Sequence, residues 1–129
     1  MPAQTPEDIC SLFQHSVALG ELDAVLDLYD PEIVFLNQAG RAVMGREGLR
    51  KELSPLVAMK ARFDFTIKQV VTAGDIALMH TLWTVSGPLP MKTYAIEVAR
   101  RQSDGTWRWL IGDPFTVHKQ LASNNQDES

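Results

Sequence analysis

The stretch at residues 20–53, GELDAVLDLYDPEIVFLNQAGRAVMGREGLRKEL, decides the fold of this chain because it joins a helix, a strand, a turn and another helix. Across residues 22–29 apolar side chains recur at i, i+3, i+4 and i+7, which predicts an amphipathic helix that ends before Pro31. The apolar run 33–36 is rich in strand-forming residues and predicts a short strand. Asn37 ends this strand with an amide that is expected to face a cavity.

Helices are also predicted before this stretch and at its end. Thr5 is a good N-cap and Pro6 suits the first helical position, so a first helix is expected to run from there to Gly20. A third helix is expected to open at Gly45. Ser54-Pro55 is expected to end or kink it, because proline disfavours helical geometry in the residue before it.

Beyond the third helix the apolar period changes to two, which is typical of strands. Gly74 and Gly105 lie in turns between the apolar segments. The predicted strands are a further short one at 41–44 and four long ones at 62–71, 76–86, 91–101 and 106–117. Residues 1–121 are therefore predicted to form one domain, and the polar, aperiodic residues 122–129 a flexible tail.

Composition limits the classes of partner. The chain has 129 residues, of which 45% are hydrophobic and 22% charged, as in ordinary globular proteins. A net charge of -4 and scattered basic residues argue against nucleic acid, and no apolar run reaches the roughly 20 residues of a membrane span. The single cysteine, Cys10, and an N-terminus without signal-peptide character favour the cytoplasm.

Four segments resemble the nuclear transport factor 2-like superfamily, which includes ketosteroid isomerase and the SnoaL-like polyketide cyclases. They are the helix junction Gly20-Glu21-Leu22-Asp23, the exit Leu28-Tyr29-Asp30-Pro31-Glu32, the helix start Gly45-Arg46-Glu47-Gly48-Leu49 and the hairpin Asp104-Gly105-Thr106-Trp107-Arg108-Trp109. The resemblance covers nearly the whole chain. It implies a cone-shaped α+β fold in which three N-terminal helices pack on a curved antiparallel sheet and leave a pocket.

The same resemblance bears on the chemistry. Ketosteroid isomerase, a well-known enzyme, uses an aspartate base together with a tyrosine and a protonated acid. The tyrosine position falls on Phe13 and the base position on Asn37, so true ketosteroid isomerase activity is not expected. SnoaL-like cyclases carry an acid-base aspartate on the last strand, which points to Asp113. The alternative for Asp113 is a structural role at a strand end, since Pro114 follows it.

Glu97 is the acid that strand alternation is expected to aim into the pocket, among small neighbours such as Ala95 and Ala99. A carboxyl group in an apolar pocket has a raised pKa and is a plausible proton carrier. The alternative is that Glu97 pairs with Arg100, Arg101 or an arginine of a neighbouring strand. His80 is the candidate partner in acid-base work, the alternative being a structural histidine.

Four further side chains are assigned to substrate binding. Asn37 and Tyr94 are expected to hydrogen-bond a ligand, and Phe13 and Phe35 to contact its apolar part. No metal site is expected, because the three histidines share no ligand spacing with Cys10 or with each other. No phosphate-binding loop is visible, and no cofactor is predicted.

An apolar surplus on the strands predicts an interface. Tyr94, Ile96 and Val98 share one strand face, and Trp107 and Trp109 share a face of the next strand. Large exposed apolar patches usually mark contacts between proteins, so a homodimer through the outer sheet face is expected. The alternative is that these residues complete the internal core.

Two functions are compatible with the sequence. In the first, the protein is a cofactor-independent isomerase, cyclase or dehydratase that acts by proton transfer on a small, mostly apolar carbonyl compound, with Glu97, Asp113 and His80 as candidate catalytic residues. In the second, it is a non-catalytic dimeric module that binds a small molecule. The sequence does not name the ligand in either case.

Overall fold

The computed structural model describes residues 2–87 and 90–127, which form four helices and six strands. In chain order they are α1 (Pro6–Leu19), α2 (Leu22–Leu26), β1 (Tyr29–Leu36), β2 (Ala42–Met44), α3 (Gly45–Ala58), β3 (Arg62–Ala73), β4 (Ile76–Ser86), β5 (Met91–Arg101), β6 (Trp107–Asp113) and α4 (Thr116–Asp127). None of the helices in this part of the chain has the length and apolar character needed to cross a membrane.

Helix α1 begins and ends where local chemistry dictates. The Thr5 hydroxyl accepts a hydrogen bond from the backbone N–H of Asp8 at 3.2 Å, and the Asp8 carboxylate accepts one from the backbone N–H of Thr5 at 3.2 Å. This reciprocal pair is a capping box. At the other end Gly20 adopts a φ of 75°, which a residue without a Cβ reaches at little cost. The predicted bounds of this helix are confirmed.

Helix α2 is shorter than its apolar period predicts. It ends at Leu26, and Tyr29 opens β1 instead of lying on the last helical turn. The cause is tertiary: the backbone N–H of Trp109 donates to the carbonyl oxygen of Leu28 at 2.9 Å, and Tyr29 pairs with Trp109 on β6. Strand pairing therefore outweighs the helical pattern at this point.

The six strands form one sheet in the order β2-β1-β6-β5-β4-β3. All neighbours are antiparallel except β1 and β6, which run parallel, so the expectation of an antiparallel sheet is wrong at this pair. Strands β1 and β6 are separated by most of the chain, so no tight turn forces them to run in opposite directions. The fold is α+β with a mixed sheet.

Helix α3 continues through Pro55 and ends only at Ala58. Leu53 and Val57 are buried on either side of the proline, and the carbonyl oxygen of Pro55 accepts a hydrogen bond from the N–H of Met59 at 3.1 Å. Burial of this face keeps the last turn helical although Pro55 itself donates no backbone hydrogen bond.

A fourth helix replaces the end of the last predicted strand. Strand β6 stops at Asp113, and one oxygen of the Asp113 carboxylate accepts hydrogen bonds from the N–H groups of Phe115 and Thr116 at 3.3 and 3.0 Å. This carboxylate starts α4, which extends to Asp127. Residues 122–127 are therefore helical, whereas the sequence predicts an aperiodic tail. Residues 128–129 of that tail lie outside the described residues.

The sheet has an inner face, which α1 and α3 cover, and an outer face. Inner positions alternate along the two central strands and are buried: Ala77, Met79, Thr81 and Trp83 on β4, and Thr93, Ala95, Glu97 and Ala99 on β5. Trp107 and Trp109 are 7% and 2% exposed, so they belong to the interior and not to the outer surface. Tyr94, Ile96 and Val98 alternate with the inner residues of β5 and share the outer face.

Candidate functional site

A cavity of about 110 Å³ lies between the helices and the inner face of the sheet. Two helices, five strands and the start of α4 contribute to its wall, which is mostly apolar. The lining residues are Phe13, Tyr29, Phe35, Leu53, Leu56, Phe63, Trp83, Val85, Met91, Thr93, Glu97, Trp109, Gly112, Asp113, Pro114 and Phe115.

Aromatic rings support this wall by packing against one another. The ring centre of Phe13 lies 5.2 Å from that of Phe63, 5.3 Å from that of Trp83 and 5.6 Å from that of Trp109, all in edge-to-face arrangements. Such contacts are preferred between aromatic rings and hold them in defined orientations. The cavity is therefore bounded by side chains with little freedom to collapse into it.

Glu97 is the acidic group buried in this wall. Its side chain lies on the inner face and the residue is only 7% exposed. Burial raises the pKa of its carboxyl from 4.5 to about 7, although the polar groups of Thr81 and Trp83 act in the opposite direction. Neither Glu97 Oε1 nor the Thr81 hydroxyl has a hydrogen-bond partner of normal geometry among the described residues.

The neighbouring arginines do not neutralise this carboxyl. Arg100 donates to the buried Asp30 carboxylate at 2.9 and 3.0 Å and to Glu32 at 3.0 Å. Arg101 donates to Asp75 at 2.9 and 2.6 Å. The alternative in which Glu97 pairs with one of these arginines is therefore wrong.

Tyr29 is a cavity residue that the sequence analysis missed. It is 4% exposed, and its ring centre lies 5.3 Å from that of Trp109. Burial raises the pKa of its phenol, and the nearby Glu97 and Cys10 act in the same direction. In the sequence Tyr29 fits the helical stripe of residues 22–29, so the sequence does not predict that it lines the cavity. The pairing of β1 with β6 is what turns its ring into the cavity.

Asp113 lines the cavity and also starts α4 through the two hydrogen bonds described above. The two functions predicted for it, a place in the pocket and a structural role at a strand end, are thus both compatible with its position. Gly112, which precedes it, pairs with Glu97 across the two strands. A Cβ at Gly112 would lie 3.2 Å from Cδ2 of Phe35, so the glycine gives that ring its room.

His80 and Tyr94 do not reach the cavity. His80 lies between the inner residues Met79 and Thr81 on β4, so its side chain points to the outer face. Tyr94 is separated from Glu97 by an odd number of positions and is 37% exposed on the same outer face. The predicted placement of these two side chains in the pocket is wrong. Alternation along β5 excludes Tyr94, and the register of β4 with β5 excludes His80.

Asn37 serves the turn instead of the cavity. Its amide nitrogen donates to Glu52 of α3 at 3.1 Å, and its amide oxygen accepts from the backbone N–H of Arg41 at 3.0 Å. These bonds hold the β1–β2 turn against α3. Phe13 and Phe35, the other two predicted contact residues, do line the cavity.

Residues 2–87 and 90–127 bring together no group of three or more His, Cys, Asp or Glu side chains that could hold a metal ion. The titratable groups among the lining residues are the carboxyl groups of Glu97 and Asp113 and the phenol of Tyr29. These groups can accept, donate or transfer a proton.

Residues 11–120 match the family described as the SnoaL-like domain. The chain belongs to the SnoaL-like family. The superfamily resemblance of the sequence is thereby confirmed. No curated protein matches this SnoaL-like chain significantly.

Solved structures similar to the SnoaL-like domain carry different descriptions. One, from Thiobacillus denitrificans, is assigned as a calcium/calmodulin-dependent protein kinase type II association domain; it is 17% identical, with 90% of this chain and 99% of that chain covered and a TM-score of 0.74. A ketosteroid isomerase-like protein from Erwinia carotovora atroseptica is 19% identical, with 83% and 89% covered and a TM-score of 0.63. A protein from Streptomyces avermitilis assigned as an NTF2-like dehydratase is 16% identical, with 84% and 91% covered and a TM-score of 0.64. At these identities the likeness concerns the fold alone.

Proposed function

We propose that this SnoaL-like protein is a cofactor-independent enzyme that moves a proton on a small, mostly apolar carbonyl compound, as an isomerase, cyclase or dehydratase. The observation that carries the proposal is the Glu97 carboxyl, which is buried in an apolar cavity without an ion-pair partner among the described residues. With a pKa of about 7, both its acid and its base form are present near neutral pH. This is the condition under which one group both gives and takes a proton efficiently.

The roles follow from the groups that line the cavity. Protonated Glu97 donates a hydrogen bond to the substrate carbonyl oxygen, where negative charge develops as a neighbouring C–H bond breaks. The phenol of Tyr29 remains protonated because its pKa is raised, and it is the second candidate donor. Asp113 is the candidate base, as the other carboxylate in the lining. Asn37 is left out of the site because its amide holds a turn.

The cavity volume supports a small substrate. An engineered cavity of roughly 150 Å³ accommodates benzene, so a cavity of about 110 Å³ suits a compound of about one ring. A steroid does not fit such a space. Phe13 also provides no hydroxyl at the position of the isomerase tyrosine, so the proposal excludes true ketosteroid isomerase activity.

The second candidate function is a non-catalytic dimeric binding module, and the outer sheet face supports its dimeric state. Ile76, Leu78, Tyr94 and Ile111 are each between 37% and 41% exposed on β4, β5 and β6. Clustered apolar side chains of this kind are typical of protein interfaces, so we propose a homodimer through this face in either case. We further propose a cytoplasmic location, where the free thiol of Cys10 would stay reduced.

Proton exchange at the carbon next to a carbonyl group tests the enzyme proposal directly. We expect the wild type to accelerate deuterium uptake by cyclopentanone in D₂O, measured by NMR, and Glu97→Gln to lower this rate at least about a hundredfold. Glu47→Gln is the matched control, because Glu47 is exposed on α3 and its ion pair among the described residues is with Arg50. Binding of cyclopentanone without exchange above the buffer rate would favour the binding module.

A further inference from the structure

The cavity joins an aromatic wall to the buried acid Glu97. Seven aromatic side chains line it: Phe13, Tyr29, Phe35, Phe63, Trp83, Trp109 and Phe115. Glu97 is 93% buried among them, and none of the described lining residues is a lysine, an arginine or a histidine. A buried acid normally has a cationic partner, and here the protein provides none in the described wall.

We infer that the cavity binds a small organic ammonium ion, with its charged nitrogen at the Glu97 carboxylate and its apolar body against the aromatic rings. The faces of Trp, Tyr and Phe attract cations, more strongly when water is excluded. The Glu97 carboxylate can accept hydrogen bonds from a protonated amine, since its Oε1 has no partner of normal geometry in the described chain. Aromatic faces and a carboxylate together are the two features that recognise such an ion. The inference rests on the cavity of the proposed function and not on its reaction.

The charge state of Glu97 distinguishes an ammonium ligand from a neutral carbonyl ligand. An ammonium ion binds the ionised carboxylate, whereas a carbonyl oxygen needs the protonated form as donor. The other titratable groups that face Glu97 are the thiol of Cys10 on α1 and the phenol of Tyr29 on β1. Burial raises the pKa of both, so both stay neutral across the range tested below. Asp113 on β6 is the other carboxyl group among the lining residues, and α3 contributes only the apolar Leu53 and Leu56 to the described lining.

Calorimetric titration of the wild type with cyclopentylammonium chloride and with cyclopentanone tests the inference, because the two probes share one ring and one size. The amine stays protonated throughout the range, so its affinity follows Glu97 alone. We expect this affinity to rise roughly a hundredfold between about pH 5 and about pH 8, and the affinity for cyclopentanone to fall over the upper part of that range. A flat pH dependence for the ammonium ion, or no binding at the higher pH, would overturn the inference.

Glu97→Gln separates charge from shape. We expect it to weaken cyclopentylammonium binding at least about tenfold near pH 8 while cyclopentanone still binds, because the amide keeps a donor. Glu47→Gln removes an exposed carboxylate of the same length and should leave both affinities unchanged. Equal ammonium affinity in wild type and Glu97→Gln would refute the inference. Absence of proton exchange with intact ammonium binding would refute only the proposed reaction.

Discussion

Raising the pH from about 5 to about 8 should destabilise the folded protein through Glu97. Its carboxyl has a pKa of 4.5 when exposed and about 7 in the folded state. Between these values the folded state binds more protons than the unfolded state, so the free energy of unfolding decreases as the pH rises. Each pKa unit is worth about 1.4 kcal/mol, and the loss should therefore reach about 3 kcal/mol and level off above about pH 8.

Glu97→Gln isolates this contribution, because glutamine has the shape of the protonated acid and never ionises. Near pH 5 the variant and the wild type should have nearly equal free energies of unfolding. Near pH 8 the variant should be more stable by about 3 kcal/mol, since it avoids burying a charge. Urea denaturation followed by tryptophan fluorescence measures this difference, because Trp83, Trp107 and Trp109 are all buried in the fold.

The difference in the free energy of unfolding between wild type and Glu97→Gln isolates the effect of Glu97, because the contributions of other titrating groups cancel in it. Asp30 and Asp104 have lowered pKa values, so their contributions change below the pH range used. A stability difference that is the same near pH 5 and pH 8 would show that Glu97 is not a buried acid with a raised pKa. A variant less stable than the wild type near pH 8 would show that the ionised carboxylate is well paired in the fold. Either result would refute the reasoning.

Three further changes probe the cavity wall, an ion-pair network and the outer face. Gly112→Ala should cost about 1–2 kcal/mol and weaken cyclopentanone binding several-fold in calorimetry, because its Cβ would lie 3.2 Å from the Phe35 ring. Asp30→Ala should lower the free energy of unfolding by about 2–4 kcal/mol in urea, since it removes the buried partner of Arg100. Leu78→Lys should convert a dimer to a monomer in sedimentation with little change in folding, as Leu78 is 38% exposed on the outer face; an unchanged mass would argue against this interface.

Much of the fold could be predicted because local chemistry decides it. The capping box of α1 needs only neighbouring residues, and the bounds of β4 and β5 follow from period two between turns. Two predictions failed for different reasons, a pairing with a distant strand in one case and a local helix cap in the other. Tyr29 fits a helical stripe, yet β6 draws it into a strand. Asp113 continues a strand pattern, yet its carboxylate starts a helix.

In the candidate site too, some side-chain positions follow from the local sequence pattern and others only from the pairing of strands. Alternation correctly places Glu97 on the inner face, and the same alternation could have excluded Tyr94, which lies an odd number of positions away on β5. The position of His80 required more, because the register that sets Met79 opposite Glu97 is a property of the paired strands. Tyr29 could not be found without the parallel pairing, so the second donor of the site is visible only in three dimensions.

The unpaired state of Glu97 follows from where the nearest arginines are held. Arg100 lies three positions away and so points to the outer face, where Asp30 and Glu32 bind it. Arg101 lies four positions from Glu97 and therefore on the same inner face, but Asp75 binds its guanidinium at the β3–β4 hairpin. Three ion pairs therefore occupy the two arginines that could neutralise the buried acid. The fold loses free energy when this buried acid ionises without a cationic partner, and a cationic ligand can recover that free energy. The pH dependence of stability is therefore linked to the pH dependence of binding.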